Sequence, residues 1–251
     1  MRTYLDLIWY KVYAELSAEA ARTWLGILWW VIEPVLYMSV FYLIFGIIFQ
    51  RGGEGFVYFL LVGLVVWKWF DSSVRGGMLS LPANAAVIQQ VYQPKLVFPV
   101  TVLLINTAKF LLVLLLLLLF LLITGKPLAV SWLALLPLIG VQFLLTLGVA
   151  SLCATVIPFV PDLKWVVENG LTLMFFLSGV FFDISNVPDK YYAWLMLNPM
   201  AVLIDSYRSV LLLAQMPDWA RLSWVLLFSC LLIAIAVWVF TRFDRVYPKL
   251  V

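Results

Sequence analysis

Charged residues recur on one side of an otherwise apolar stretch. Lys68, Asp71 and Arg75 occupy positions i, i+3 and i+7, so a helix would carry them on one face. Charges within apolar segments normally pair, face the interior of a helix bundle or extend to the membrane interface. This polar face is interpreted either as a structural ladder of ion pairs or as a wall that contacts an anionic substrate group such as a diphosphate. Lys109, in the next apolar run, has the same two interpretations.

Aromatic rings occur at every fourth position earlier in the chain. Tyr37, Phe41, Phe45 and Phe49 would lie along one slowly turning face of a helix. Such rings can lie against the flat C–H faces of sugars, and this aromatic stripe is interpreted as a surface along which a sugar polymer slides. The alternative is packing against other helices or lipid.

The composition indicates which elements position these residues. Hydrophobic residues make up 65% and charged residues 12% of the 251 positions, whereas soluble domains have about 45–50% and about 25%. We therefore predict an all-α integral membrane protein. The net charge of +3 is spread along the chain without a block of Lys and Arg, which argues against a nucleic-acid partner.

Residues that hold metals or carry out acid–base catalysis are scarce. The sequence has no histidine, the commonest metal ligand and a frequent general base. Cys153 and Cys230 lie inside apolar runs and are interpreted as small hydrophobic residues, not as a disulfide or a metal pair. We predict no metal site and no catalytic residues.

Apolar runs of about 20 residues predict membrane-spanning helices, and the sequence contains six within one transmembrane domain, 1–251. They are expected at 35–49, 56–77, 96–124, 132–157, 165–182 and 223–240. An even number of spans places both termini on one side, and Lys and Arg are more frequent in the segments on that side. This bias predicts a multi-pass protein of the cytoplasmic membrane with both termini in the cytoplasm, the second one being a tail at 242–251.

The first 28 residues predict an amphipathic helix that lies in the cytoplasmic interface. Its apolar positions are Leu5, Ile8, Trp9, Val12 and Leu16, and the opposing charged positions are Asp6, Lys11, Glu15, Glu19 and Arg22. A plain membrane anchor is the alternative.

The segment 183–221 is too apolar for an open loop, and its longer apolar run has about 15 residues, too few to cross a membrane. We predict a re-entrant helical hairpin broken at Asn198 and Pro199. Irregular backbone at membrane depth must be covered by protein or line a water-filled cavity, so the hairpin should lie at the outer end of a pathway. A surface helix on the outer leaflet is the alternative.

The stretch SLPANAAVIQQVYQPKLVFP interrupts the apolar runs with a short polar helix, which we call the connecting helix (80–95). Ser80 can cap it, Pro82 suits its first turn, and Gln93-Pro94 ends it. The charge bias places it in the cytoplasm. Its exposed residues are predicted to be Asn84, Gln89, Gln90 and Tyr92.

Four stretches, in order, resemble the ABC-2 type permeases, most of all those that export polysaccharides such as O-antigen, capsule and teichoic acid. They are LGILWWVIEPVLYMSVFYLIFG at 25–46, the connecting helix, FFLSGVFFDISNVP at 175–188 and LNPMAVLIDSYRSVLL at 197–212. The resemblance implies a homodimer in membrane lipid that exports a lipid-linked polysaccharide. It also implies a separate cytoplasmic ATP-binding cassette subunit that holds ATP and Mg, while this chain binds no cofactor.

The resemblance further assigns roles to two segments. It implies that the connecting helix couples the ATPase to spans two and three; an inert connecting turn is the alternative. It also implies outer gate helices after span five, with Asn198, Pro199, Asp205 and Arg208 as gate residues.

Three other functions are alternatives to polysaccharide export. The sequence has no GxxxxGK[ST] motif, so energy must come from a partner or from an ion gradient. Ion coupling usually needs acidic residues at mid-membrane, where Glu33 and Asp71 come nearest. An ABC-2 exporter of a small molecule or lipid is the second alternative. A membrane glycosyltransferase is the third, although it would need a large extramembrane face that this chain lacks.

Overall fold

The computed structural model describes residues 2–22, 26–48, 55–126 and 129–251, and the described residues form helices and connections without a strand. The helices in chain order are α1 Arg2–Arg22, α2 Trp29–Phe41, α3 Phe56–Met78, α4 Ser80–Ala83, α5 Ala85–Gln90, α6 Val97–Ile123, α7 Leu135–Val156, α8 Leu163–Leu177, α9 Asp189–Leu195, α10 Pro199–Leu211, α11 Trp219–Arg242 and α12 Tyr247–Leu250. The chain continues beyond α2 as a π-helix over Tyr42–Ile48, and a 3₁₀ turn, Val130–Ala134, leads into α7.

Four stretches of the described helices are long and apolar enough to cross a membrane: Phe56–Met78, Val97–Ile123, Val130–Val156 and Trp219–Arg242. They correspond to the expected second, third, fourth and sixth spans. The expected first span overlaps α2, of 13 residues, and the π-helix that follows it, and the expected fifth span overlaps α8, of 15 residues. Because neither α-helix alone has the roughly 20 residues that a crossing helix needs, the total of six spans stays a prediction.

Helix α3 lies at the centre of the structure, where it packs against α6, α7, α8 and α10. Trp69 of α3 stacks on Phe110 of α6 with the ring centroids 4.1 Å apart. The buried side-chain amide of Gln142 in α7 donates a hydrogen bond to the carbonyl of Val66 in α3 at 2.9 Å. These contacts fix α3, α6 and α7 relative to one another, and α11 packs on the far side of α7.

A second, smaller cluster of buried residues lies beneath the connecting helix. It consists of Leu81, Ile88, Phe98, Ala154, Phe240 and Tyr247. These residues join α4 and α5 to the ends of α6, α7 and α11 and to α12. The Tyr247 hydroxyl donates to the carbonyl of Thr155 at 3.1 Å, and burial raises the pKa of this phenol to about 12. The connecting helix therefore rests on a packed base.

Helix α1 forms as predicted and packs along α6. Val12 is buried against the protein, whereas Trp9, expected on the same apolar face, is exposed. Lys11, expected on the charged face, is half-buried and lies 4.7 Å from the centroid of the Phe98 ring. The two-sided pattern is thus only partly realised, because Lys11 finds an aromatic ring and a hydrogen-bond acceptor on the protein side.

Candidate functional site

A cavity of about 620 Å³ lies among α1, α2, α3, α6 and α8. Ionic and aromatic residues line much of it. The charged lining residues are Glu19, Glu33, Lys68, Asp71, Arg75 and Lys109. The aromatic lining residues are Trp29, Trp30, Tyr37, Trp67, Trp69, Phe110, Phe120 and Phe175. The structure therefore brings the polar face of α3 and Lys109 of α6 to one place.

Each cation of this cavity has a carboxylate partner. Lys68 Nζ lies 2.7 Å from a carboxylate oxygen of Glu33, across the α2–α3 contact. Arg75 Nε lies 2.8 Å from Asp71 Oδ1 within α3. Lys109 Nζ lies 2.6 Å from both carboxylate oxygens of Glu19. Pairing of this kind is what makes charges tolerable at the edge of an apolar region.

Aromatic side chains surround two of the ion pairs. The Trp30 indole N–H donates to Glu19 at 3.2 Å, and Lys109 Nζ lies 5.2 Å from the centroid of the Trp30 ring. Lys68 Nζ lies 5.5 Å from the centroid of the Tyr37 ring. Cations at such distances are attracted to the ring faces, so the cavity joins positive charge to flat apolar surface.

The aromatic stripe is described only at its first residue. Tyr37 lines the cavity and is exposed. The side chains of Phe41 and Phe45 and the whole of Phe49 lie outside what the structure describes. The stripe as a continuous surface stays a prediction.

Sequence reasoning missed the part that α1 and α2 play in this cavity. The sequence predicts Glu19 only as part of the charged face of α1, and it marks Glu33 only as one of the acidic residues nearest to mid-membrane. Trp30 gave no signal beyond the general richness in aromatic residues. Glu33 and Lys68 are 35 residues apart, and Glu19 and Lys109 are 90 apart, so no local spacing could have linked them.

The connecting helix consists of two short helices, α4 and α5, that meet at Asn84. Gln89, Gln90 and Tyr92 are exposed as expected, whereas Asn84 is half-buried. The Asn84 carboxamide oxygen accepts a hydrogen bond from Lys11 Nζ at 2.6 Å. Burial lowers the pKa of Lys11, and the neighbouring Glu15 acts in the opposite direction. This bond ties α1 to the connecting helix.

The prediction that Ser80 caps the connecting helix is wrong. Leu79 precedes α4 with φ −96° and ψ 0°, and Ser80 is already the first helical residue. A capping residue needs extended backbone so that its side chain can accept from the first turn. The backbone stays near helical between α3 and α4, and the buried Ser80 hydroxyl has no hydrogen-bond partner.

Helices α9 and α10 are separated at the predicted break. The Asn198 carboxamide oxygen accepts from the N–H of Met200 at 3.0 Å, and Pro199 is the first residue of α10. The Asn198 amide donates to the Ser178 hydroxyl at 2.9 Å. Helix α10 is buried on nearly all sides, which does not fit a helix lying on a surface. Its depth in a membrane stays a prediction.

Arg208 of α10 is only 5% exposed, and its guanidinium donates to three backbone carbonyls. These belong to Phe59 at 3.1 Å, Gly179 at 2.7 Å and Val180 at 2.9 Å. Gly179 adopts a φ of +71°, a conformation that glycine favours, in the turn that follows α8. Arg208 thereby joins α10 to α3 and to that turn. Asp205, one turn earlier, is half-buried.

Among the described residues, several membrane-length helices lie beside a cavity of paired charges, and no strand is present. These are features of a membrane transport protein. The family model for ABC-2 type transporters matches residues 8–212. That range covers most of the sequence, and the chain belongs to this family.

Relatives from three organisms match over most of their length. The O-antigen export system permease protein RfbA of Klebsiella pneumoniae is 30% identical over 206 residues, which cover 82% of this chain and 80% of the relative. The protein of the same name from Myxococcus xanthus is 31% identical over 220 residues, with coverage of 86% and 84%. The polysialic acid transport protein KpsM of Escherichia coli is 23% identical over 222 residues, also with coverage of 86% and 84%.

Proposed function

We propose that this chain is the permease subunit of an ATP-driven exporter that moves a lipid-linked polysaccharide outward across the cytoplasmic membrane. The observation that carries this proposal is the similarity to RfbA and KpsM proteins. It extends over more than four fifths of this chain in each case, and each of those names refers to transport of a polysaccharide.

Energy for export is proposed to come from a separate ATP-binding cassette subunit, because the sequence has no P-loop to hold ATP phosphates. The connecting helix is proposed to dock this subunit through Asn84, Gln89, Gln90 and Tyr92. Exposure of the last three supports the assignment. So does the packed base beneath them, because a docking surface can transmit force only if it is anchored to the spans.

We propose that the functional unit is a homodimer with both termini of each copy in the cytoplasm. Apolar surface supports association within the membrane. Leu115 and Leu119 of α6 and Leu227 and Trp238 of α11 are all more than a third exposed. Lipid or a second copy has to cover such side chains.

The cavity is proposed to form part of the substrate pathway. Lys68 and Lys109 would attract the anionic diphosphate that links a polymer to its lipid, and Tyr37 would begin the aromatic stripe along which sugars move. Asp71 and Arg75 complete the polar face. Charge and rings in one cavity suit a substrate that has both an anionic group and apolar surface.

The outer end of the pathway is proposed to be gated by α9 and α10. The Asn198 cap and the Arg208 hydrogen bonds support this role, because they attach α10 to α3 and to the turn after α8 at defined points. A gate needs such discrete contacts if it is to have two defined positions.

A disruption of the gene in its host tests the proposal. We expect the polysaccharide to disappear from the cell surface and to accumulate inside as a lipid-linked polymer. A plasmid carrying the intact gene should restore export. Surface polysaccharide at the wild-type level in the disrupted strain would contradict the proposal.

A further inference from the structure

The ion pair between Glu19 and Lys109 joins two parts of the structure that are anchored very differently. Lys109 belongs to α6, which packs against the central helix α3 and against α7. Glu19 belongs to α1, which lies at the edge of the structure on α6. The lysine is therefore fixed by the core, whereas its carboxylate partner comes from a peripheral helix.

The second lysine of the cavity is paired in the same way. Lys68 belongs to α3, and its partner Glu33 belongs to α2, which packs against α3 and α6 and donates to Glu19 of α1 through Trp30. In both pairs a core helix supplies the cation and a peripheral helix supplies the anion. Both carboxylates are also accessible to an incoming ligand, since each is 46% exposed.

The carboxylate of Glu19 occupies the position that a bound anion would take between Lys109 and Trp30. Lys109 Nζ donates to both carboxylate oxygens of Glu19 at 2.6 Å, and the Trp30 indole N–H donates to one of them at 3.2 Å. These two donors suit any anionic oxygen group, including a phosphate. The exposed apolar side chains of Trp29 and Val35, both in α2, line the same cavity. An anion that carries an apolar chain matches both parts of the surroundings.

We propose that Glu19 is an internal counter-ion that neutralises Lys109 until a lipid with a phosphate headgroup enters the cavity and takes its place. The inference rests on the proposed function, since it assigns the phosphate end of the transported lipid to this cavity. Such a headgroup comes either from an isoprenoid diphosphate or from a membrane phospholipid, and the two share the chemistry that Lys109 and Trp30 recognise.

The direction in which one substitution changes the binding affinity distinguishes this proposal from a structural role. If Glu19 competes with the ligand, Glu19→Gln removes the competitor and binding becomes tighter. If Glu19 only holds α1 in place, the same substitution loosens the cavity and binding becomes weaker. The pair is partly exposed, with 25% exposure for Lys109 and 46% for Glu19. Exposed pairs are weak, so we expect a gain in affinity of roughly threefold.

Binding is measured on the purified full chain in detergent, with farnesyl diphosphate, phosphatidylglycerol and uncharged farnesol as the three probes. Glu19→Gln should tighten binding of a phosphate-bearing probe and leave farnesol unchanged. Lys109→Gln should weaken binding of the same probe. The matched control is Glu15→Gln, which removes a carboxylate from an exposed position of the same helix outside the cavity lining and should change nothing.

Each outcome decides the proposal. A gain with farnesyl diphosphate alone identifies an isoprenoid diphosphate as the ligand, and a gain with phosphatidylglycerol alone identifies a membrane phospholipid. Unchanged or weaker binding of both phosphate-bearing probes to Glu19→Gln overturns the proposal. An equal gain in Glu15→Gln also overturns it, because the effect would then be one of net charge. No ATPase or polymer is present in this binding assay, so its outcome is separate from that of the gene disruption, in which surface polysaccharide at the wild-type level would overturn the proposed function.

Discussion

Replacement of Arg208 by methionine should destabilise the protein strongly. The substitution removes a guanidinium that donates three hydrogen bonds, so the carbonyls of Phe59, Gly179 and Val180 lose this donor. A hydrogen bond from a charged group contributes roughly 1.5–3 kcal/mol net. Three such bonds at the lower limit predict a loss of about 4.5 kcal/mol in the free energy of unfolding. Arg208→Lys keeps the charge and one or two of the bonds, so about half of that loss is expected.

The free energy of unfolding is measured by titrating the purified chain from mild detergent into SDS and following tryptophan fluorescence.

A second substitution checks the same contact from the other side. A Cβ placed on Gly63 would lie 2.7 Å from the Arg208 guanidinium, so Gly63→Ala should be destabilising in the wild type. It should cost less in Arg208→Lys, because the obstructing group is gone, and a double-mutant cycle reports that coupling.

Two results would refute this reasoning. One is a loss of less than about 1 kcal/mol for Arg208→Met, which would mean that water or other donors replace the guanidinium. The other is an equal cost of Gly63→Ala in both backgrounds. If Arg208→Met does not yield folded protein, the cycle with Arg208→Lys still tests the contact.

Three further predictions concern the connecting helix, the aromatic stripe and the gate helices. Gln89→Glu places a charge on the exposed side of α5 and removes the side-chain amide that donates to the Val251 carbonyl. It should leave the chain inserted but weaken co-purification with the ATPase or uncouple hydrolysis from export; wild-type values for both would exclude a coupling role. Phe41→Ala combined with Phe45→Ala should reduce polymer export while dimer formation and ATPase binding persist, and an effect on expression alone would mean that the stripe is packing. The gate helices are tested with single cysteines in a background without native cysteines. Leu197→Cys, at a 60% exposed position, should react with a membrane-impermeant thiol reagent, whereas Ile204→Cys, at a fully buried position, should not. Equal reactivity would mean that 183–221 is an open loop.

The membrane-length helices could be predicted from the sequence because their signal is local. A helix satisfies the backbone hydrogen bonds of an apolar run such as Val97–Ile123 internally, while its apolar side chains face lipid. The break at Asn198 and Pro199 is equally local, since a capping side chain followed by proline at the first helical position favours a helix start. The first and fifth spans were harder to predict, because α2 passes into a π-helix and α8 is short.

The residues of the cavity could be predicted only in part. Lys68, Asp71 and Arg75 share a helix face, which spacing reveals directly. Their convergence with Lys109, and the pairing with Glu19 and Glu33, depend on how five helices pack. Arg208 shows the same limit. A single arginine in an apolar segment gives no sign that it will donate to three backbone carbonyls, because its acceptors lie 28, 29 and 149 residues away.

Transport by a reconstituted system tests the central proposal most directly. The chain and its ATP-binding subunit are placed in vesicles with the lipid-linked polysaccharide on the ATPase side, and the fraction of polymer that becomes protected from an added glycosidase is measured. We expect protection that requires ATP and both subunits. The chain alone should hydrolyse no ATP and protect no polymer. Hydrolysis of ATP by the chain alone, or protection of polymer without the ATP-binding subunit, would contradict the account.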